Sequence, residues 1–542
     1  MLKATINLCS VKISKLPIAL AFCALSCGVS TNLSFAASPT VLAGFEGGAD
    51  IPGRGVRYSS PVIAEIDGDA TNGNEIAVTT PDGILNVTKS DGTLLWSVRL
   101  PSADCTGSTS GNKAYGAPAV GELFGDGVEY VVASYGGLGA RTCDGGVAAY
   151  RGTDGAIKWN FSTQKNAKKN GYGSIMFGVF GTPALADVDG DGKLEVGFGS
   201  FDRNVYLLEA SGVVRWFYNA ADTVWGSPTF ANVDSDSNLE MIIATDISRN
   251  DRLVPATKNG GFVYAFKTAK LTSNGSAAKS KRLRFRNSKA YVWSTYLDQS
   301  IYSSPVVADV LASNPGKEVM IQSGCYFKRA TGRYFGNWIK ILSLKTGKVL
   351  QTLPTLTCSP SSPAIADIDD DGVLEIVATT SGATNLGGDG FSRVSAWKAA
   401  SQTPMWSVIP YSNLRNDSNG GHFQSPVIAD LDGNGSLEVA VTNNGGITIL
   451  AAQTGEQLSC KSSFECNGLG TFSHGSSTNN SPAIGDVNKD GVLDLVAGGG
   501  SSSGKIYAWT SFADGLGSAA GSGTAYATPW PMWRKNAART AR

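Results

Sequence analysis

Asp187-Val188-Asp189-Gly190-Asp191-Gly192-Lys193-Leu194-Glu195 places oxygen ligands at turn positions one, three, five and nine, with glycine at position six. That spacing is the layout of a calcium loop, in which the glycine permits the sharp bend. An isolated copy is equally an ordinary Asp/Gly turn. Near-complete copies in one register favour the metal. Asp367, Asp369, Asp371 and Glu375 make a second set, and Asp430, Asp432, Asn434 and Glu438 a third. Asp486, Asn488, Asp490 and Asp494 make a fourth, while Asn232, Asp234, Asp236 and Glu240 keep the ligands but have Ser237 in place of glycine. The copy at Glu65, Asp67, Asp69 and Glu75 carries an insertion. Those at Glu122, Asp126, Glu129 and at Asp309 to Glu318 have lost the pattern. Ligand count predicts about four or five calcium sites.

Each turn follows a short apolar strand that opens on proline: Pro61, Pro118, Pro183, Pro228, Pro305, Pro363, Pro426 and Pro482. A second strand such as Leu374-Glu375-Ile376-Val377-Ala378 follows, and then a third such as Val263-Tyr264-Ala265-Phe266. A glycine turn leads to a fourth strand marked by Trp96, Trp159, Trp216, Trp293 or Trp406, with Trp530 or Trp533 as the counterpart in the last unit. Units five and seven lack the tryptophan. Four strands per unit at a period of tens of residues describe a β-propeller blade. The fold class is all-β, an eight-bladed propeller over residues 58–542; one mis-split copy would make it seven-bladed. The last unit can supply its own fourth strand, so residues 37–57 are read as an extension outside the ring.

The Ser-Pro-x-x-Ala-Asp-x-Asp-Gly-Asp-Gly-x-Leu-Glu pattern resembles the FG-GAP (VCBS) repeats of integrin α-like propellers and of exported bacterial proteins. The second half of each unit, as in Ala149 to Trp159, is similar to the tryptophan-docking repeat of quinoprotein propellers. That resemblance implies that tryptophan from one blade packs into its neighbour. It also makes calcium the expected cofactor and cell adhesion one expected role.

Strand direction alternates, so the calcium turns and the glycine turns share one face. The irregular insertions (136–146, 246–261, 324–337, 381–393) and the crossings between blades lie on the other. Long loops on a rigid scaffold are where binding resides. Cys105 with Cys143, Cys325 with Cys358, and Cys460 with Cys466 fall in pairs on that loop face, and each is predicted to form a disulfide. Three residues before the prolines stand Tyr58, Tyr115, Phe180, Trp225, Tyr302 and Phe423. They form an aromatic collar at the channel mouth, readable either as hub packing or as a stacking surface for a sugar or peptide. The two histidines, His422 and His474, sit on crossings near the mouth and are weak ligand-binding candidates.

Catalytic signatures are absent from the sequence: there is no serine elbow, phosphate loop or zinc constellation. There is also no vicinal cysteine pair of the kind quinone-dependent propellers carry. The calcium turns absorb the carboxylate pairs a glycosidase would need. The 66 glycines and a charged fraction of only 17% suit short strands and turns. With formal net charge of zero, binding to nucleic acid is not expected. The basic run from Lys279 to Lys289 reads as a solvated edge.

Residues 1–36 read as a secretory signal: Lys3, Lys12 and Lys15 precede an apolar stretch and Ser34-Phe35-Ala36 forms a cleavage site. Cys27 offers an alternative lipid anchor with a poor lipobox. After cleavage no transmembrane segment is expected. The reading is of a secreted, periplasmic or cell-surface protein that binds a protein or glycan. A carbohydrate-active enzyme of the polysaccharide-lyase kind and an envelope assembly component are the alternatives.

Overall fold

The computed structural model describes residues 40–101, 105, 113–137, 143–171, 176–220, 222–249, 251, 256–269, 290–410, 424–443, 445–459, 472–475, 478–512, 531–532 and 535–536. They form eight antiparallel sheets in sequence order, seven of four strands and one of five. The all-β, eight-bladed reading is therefore correct, and the seven-bladed alternative falls. Blade three is representative: Ala184–Ala186, Glu195–Gly199, Asn204–Leu208 and Val214–Asn219 pair in order. The three-residue inner strands pack blade against blade at the hub, and the middle strands are buried on both faces, as Glu375–Thr380 is along its whole length. That explains their continuous β-branched and alanine-rich composition.

The blades are joined at the hub by a feature the sequence analysis passed over. The residue before each proline is serine or threonine in seven of the eight units, and its hydroxyl accepts the backbone N–H of the preceding blade. Ala117 N donates to Thr182 Oγ1 at 2.9 Å, Thr182 N to Ser227 Oγ at 2.8 Å and Ser227 N to Ser304 Oγ at 3.0 Å. Ser304 N donates to Ser362 Oγ at 2.9 Å, Ser362 N to Ser425 Oγ at 2.9 Å and Ser425 N to Ser481 Oγ at 2.8 Å. Ser481 N then reaches Ser60 Oγ at 2.9 Å, carrying the ring from the last blade back to the first. The eighth position is Ala117, which has no hydroxyl to offer. Each bond satisfies a buried amide that would otherwise be stranded.

Tryptophan docking holds the outer strands. The indole N–H of Trp96, Trp159, Trp293 and Trp406 donates to the carbonyl of Gly152, Ala210, Leu344 and Ala452 in the next blade, at 2.6, 2.8, 2.8 and 2.9 Å. Each ring lies on that blade's turn glycine. At Gly347 the backbone is left-handed (φ +67°), and a Cβ would fall 2.4 Å from the Trp293 ring. Trp216 is fully buried against Phe266 instead, and the blade-four carbonyl of Thr268 is taken by Arg215 Nε at 2.8 Å.

Closure corrects the sequence reading. Thr40–Val41 and Ala49–Ile51 pair antiparallel with Gly504–Thr510, so residues from the supposed extension form the outer edge of blade eight. Between them Phe45 is buried, and the Gly44 carbonyl lies 2.2 Å from where a Cβ on Gly92 would stand. This segment occupies on blade one the place that a docked tryptophan takes elsewhere. Trp530 and Trp533 lie outside the described residues. A second difference is an α-helix at Thr163–Asn170, in a crossing read as irregular; Ser162 caps its start and Gly171 its end.

Two outcomes follow. Ser362→Ala should cost about 1–2 kcal/mol in denaturant unfolding, the price of one stranded buried amide; no change would remove the hub ring as a stabiliser. Deleting residues 38–51 bares the blade-eight edge. The deletion should abolish the single cooperative melt or drive self-association seen by size-exclusion chromatography.

Candidate functional site

On the turn face, the strand-two carboxylate anchors each acidic turn. One oxygen of Glu195, Glu240, Glu375 and Glu438 accepts the N–H of Val188, Val233, Ile368 and Leu431 at 3.0, 2.8, 2.9 and 2.8 Å. The first Asp folds back onto the turn: Asp430 accepts from Asn434 N and Gly435 N, both at 3.0 Å. Asp187, Asp367 and Asp486 do the same in their turns. Position four is left-handed in these turns, even where it is Ser235, Asp370 or Lys489, and position six is left-handed where it is glycine.

Among the described residues, carboxylate oxygens converge to within 4.8 Å in five groups: Glu65, Asp67 and Glu75; Asp187, Asp189 and Glu195; Asp234, Asp236 and Glu240; Asp367, Asp369 and Asp371; and Asp430, Asp432 and Glu438. Four contain residues read from the sequence. The group in blade one was set aside for its insertion, yet Glu65, Asp67 and Glu75 still converge, while Asp69 turns to Thr71 N and Oγ1. Several candidates stand apart from these groups. Asp191 pairs with Lys193, and Asn232 turns its Oδ1 to Ser235 N. In blade eight Asn488 Nδ2 donates to Asp490, while Asp494 accepts from Val487 N. In blade five, where the pattern is lost, the Asn314 amide donates to Glu318 Oε1.

These groups differ in counter-charge. Arg215 lies against Asp189 at 2.6 Å, Glu209 at 3.2 Å and Glu195 at 3.5 Å. Lys398 reaches Asp369 at 2.8 Å and also Asp371, Lys489 reaches Glu65 at 2.6 Å, and Lys267 reaches Asp234 at 3.6 Å. Only in blade seven are all three acids buried, and among the described residues no Lys or Arg pairs with them. Burial, and then the Asp432 charge, push Glu438 up to about 8. A cation fits such groups, because Glu75 Oε1, Asp369 Oδ1 and Glu375 Oε1 are buried oxygens without a hydrogen-bond partner.

On the loop face the collar is continuous across five blades. Successive ring centroids from Tyr58 through Tyr115, Phe180 and Trp225 to Tyr302 are 4.8, 4.6, 5.1 and 4.8 Å apart. The five rings and Pro360 and Asn479 rim a central cavity open to solvent, whose wall includes the hub serines. Phe423 and His422 lie outside the described residues. His474 is fully buried, with Nε2 3.1 Å from the Gly446 carbonyl, and does not line the cavity. Cys105–Cys143 and Cys325–Cys358 form disulfides as read, with Cα separations of 5.8 and 5.5 Å. Cys460 and Cys466 lie outside the described residues.

Beside the collar is an acid pair that the sequence analysis missed. Asp246 ends the long second strand of blade four, 7% exposed, and the Thr223 hydroxyl lies 2.9 and 3.1 Å from its two oxygens. The Trp225 indole donates to that hydroxyl at 3.1 Å. Asp222 accepts from Thr223 N and Ser248 N at 2.9 and 2.8 Å. Burial first, and then the charge of Asp222, raise Asp246 to about 8. The expectation that the turns use all the carboxylate pairs is thus corrected. Its only sequence signal was an Asp outside the turn register.

Residues 430–497 match the FG-GAP-like repeat. The chain is an eight-bladed β-propeller with an FG-GAP-like repeat in that segment. The matched segment spans the acidic turn of blade seven and runs into blade eight. No characterised protein matches the chain by sequence. Among solved structures it is similar to BamB from Moraxella catarrhalis, with 14% identity over 82% of this chain and 92% of that one and a TM-score of 0.43. The rhamnogalacturonan lyase YesW gives 13% identity, 85% and 91% coverage and a TM-score of 0.43. The quinohemoprotein alcohol dehydrogenase from Comamonas testosteroni gives 12%, 82%, 66% and 0.35. Likeness at this distance transfers no activity to the chain. Among the described residues no helix is long and apolar enough to cross a membrane.

The raised Asp246 fixes a sign. A carboxyl whose folded value rises from 3.8 to about 8 contributes stability that is full at low pH and is lost as pH climbs through about 8. Asp246→Asn should therefore gain stability relative to the parent at about pH 9 and little at about pH 5, read from paired thermal melts. Parallel profiles would contradict the buried-acid assignment.

Proposed function

We propose that this is an exported, calcium-binding propeller that recognises a protein or glycan through its loop face. The observation that carries the reading is the division of labour between faces. One face holds the acidic turns on short loops. The other gathers two disulfides, the long loops and an aromatic collar that runs over five blades of the cavity rim. Calcium would be held by the acids of each group, with blade seven the strongest site because no internal cation competes there. The ion would supply charge neutralisation and rigidity. The chain's own turns already place their oxygens through backbone N–H bonds, so the metal would meet a preformed cradle. The signal-like residues 1–36 and the disulfides support export.

A second reading, a carbohydrate-active enzyme, is favoured by one observation: Asp246, held protonated near neutral pH, beside Asp222 and within one hydroxyl of Trp225. A glycan array combined with a polysaccharide turnover screen separates the two. Saturable binding without turnover is expected; turnover lost in Asp246→Asn would replace the binding reading with the enzymatic one.

The metal reading has its own test. Calcium should raise the melting temperature and EGTA should lower it. Asp432→Asn should remove more of that difference than Asp189→Asn, because Arg215 already neutralises part of the blade-three group. An unchanged melt in EGTA contradicts the reading.

A further inference from the structure

Between Glu318 and Asp367 the chain has no Asp or Glu but six Lys or Arg, in a protein whose formal net charge is zero. Half of those cations stand on one loop of blade five. The loop between its second and third strands is a hairpin: Lys328 bridges Tyr334, and Arg329 N donates to the Arg333 carbonyl at 2.8 Å. Lys328, Arg329 and Arg333 are exposed, and none enters an ion pair among the described residues. The Lys328 ammonium lies 4.5 Å from the Tyr334 ring centroid, and the Arg329 guanidinium 5.7 Å from that of Phe335. Those rings steady the two cations.

The hairpin is fixed at its root. The buried Gln299 side chain accepts the Phe327 N–H at 2.9 Å and donates to the carbonyls of Phe327 and Phe335 at 3.1 and 2.8 Å. A Cβ on Gly324 would stand 2.8 Å from the Tyr302 ring, so the root rests against the collar. Cys325–Cys358 ties the hairpin to the crossing into blade six, and Asn337 Nδ2 donates to the Leu356 carbonyl at 2.8 Å. Ser381 N donates to the Cys358 carbonyl at 3.4 Å, which joins the blade-six loop 381–393 to the same base. Each of these three segments carries one exposed large apolar side chain: Tyr326 at 56%, Leu356 at 42% and Phe391 at 37%. The other exposed large apolar residues among the described ones lie on outer strands or the turn before one. Asp389, the carboxylate that the segments do carry, is neutralised by Arg393 at 2.7 Å.

A partner for this surface must bring negative charge and apolar side chains together. An acidic glycan would meet the cations and Tyr326, but Leu356 offers it no flat face for stacking. A lipid surface would take bulky apolar residues at the hairpin tip, and the tip is Ala330-Thr331-Gly332. Nucleic-acid bases would stack on open rings, whereas Lys328 and Arg329 already lie over Tyr334 and Phe335. We propose that the blade-five hairpin and the two segments laced to it dock an acidic protein segment that carries apolar side chains. Its carboxylates meet Lys328, Arg329 and Arg333, and its apolar side chains cover Tyr326, Leu356 and Phe391. Tyrosine and arginine are among the side chains that anchor protein contacts most strongly. A hairpin already held in place loses little freedom on binding. The proposal deepens the loop-face reading and rests on it.

The test uses the full chain and four polymer probes of matched length: a random glutamate–tyrosine copolymer, poly-glutamate, polygalacturonate and dextran. The copolymer should bind saturably and more tightly than poly-glutamate or polygalacturonate, and dextran should not bind. Lys328→Glu with Arg333→Glu should weaken copolymer binding about tenfold or more. Lys345→Glu with Lys348→Glu makes the same charge change on the turn face of the same blade and should leave binding unchanged. Tyr326→Ser with Phe391→Ser should remove the copolymer's advantage and leave poly-glutamate binding as it was. All six positions are exposed, so melts that match the parent show that the variants fold. Equal binding of copolymer and poly-glutamate, or no binding of any probe, overturns the proposal. Polygalacturonate bound most tightly, and lost with the hairpin pair, replaces the protein partner with an acidic glycan and leaves the loop face as the binding face. Binding that survives the hairpin pair but is lost with the turn-face pair contradicts both.

Discussion

The hydroxyl-to-amide bonds around the hub are the constraint on which this molecule depends. A propeller's inner strands are only three residues long and carry little ladder of their own. What fixes blade to blade is a serine or threonine before the proline in seven of the eight units, whose oxygen meets the preceding blade's N–H. Proline contributes by having no N–H of its own to satisfy and by setting the backbone angle at which the strand departs. The outer perimeter uses a different device, an indole on a glycine turn, and blade eight replaces it with a segment from the start of the described chain.

The acidic face illustrates how a protein tolerates carboxylates that it gathers. Each turn anchors its strand-two acid through a backbone N–H and folds the first acid back onto its own amides. The residual charge is met by arginine in blade three and by lysine in blades one, four and six. Blade seven has no such partner among the described residues. The turn that best fits a calcium pattern on paper, Asp187 to Glu195, is therefore the one most fully compensated from within, while the buried group at Asp430, Asp432 and Glu438 has most to gain from an ion.

Much of the fold was legible because repetition multiplies weak signals. The proline register, the acidic turn and the docked tryptophan each recur, and their agreement gave eight blades, the faces and two disulfides. What escaped was set by contacts that repetition does not encode. The pairing of Thr40–Val41 and Ala49–Ile51 with Gly504–Thr510 joins opposite ends of the chain without any copy of the repeat. Arg215 resembles any strand arginine until the turn beside it is folded. Asp246 and Asp222 are 24 residues apart in sequence and meet only through Thr223. The serine or threonine before proline recurs in seven units, but its partner lies one blade away.

Counting bound metal by native mass spectrometry tests the central claim, that the turn face is clamped by calcium while the loop face is left to bind. The account predicts several calcium ions per chain, removed by EGTA, with one fewer in Asp432→Asn. A chain that carries no calcium above background when purified in its presence would contradict it.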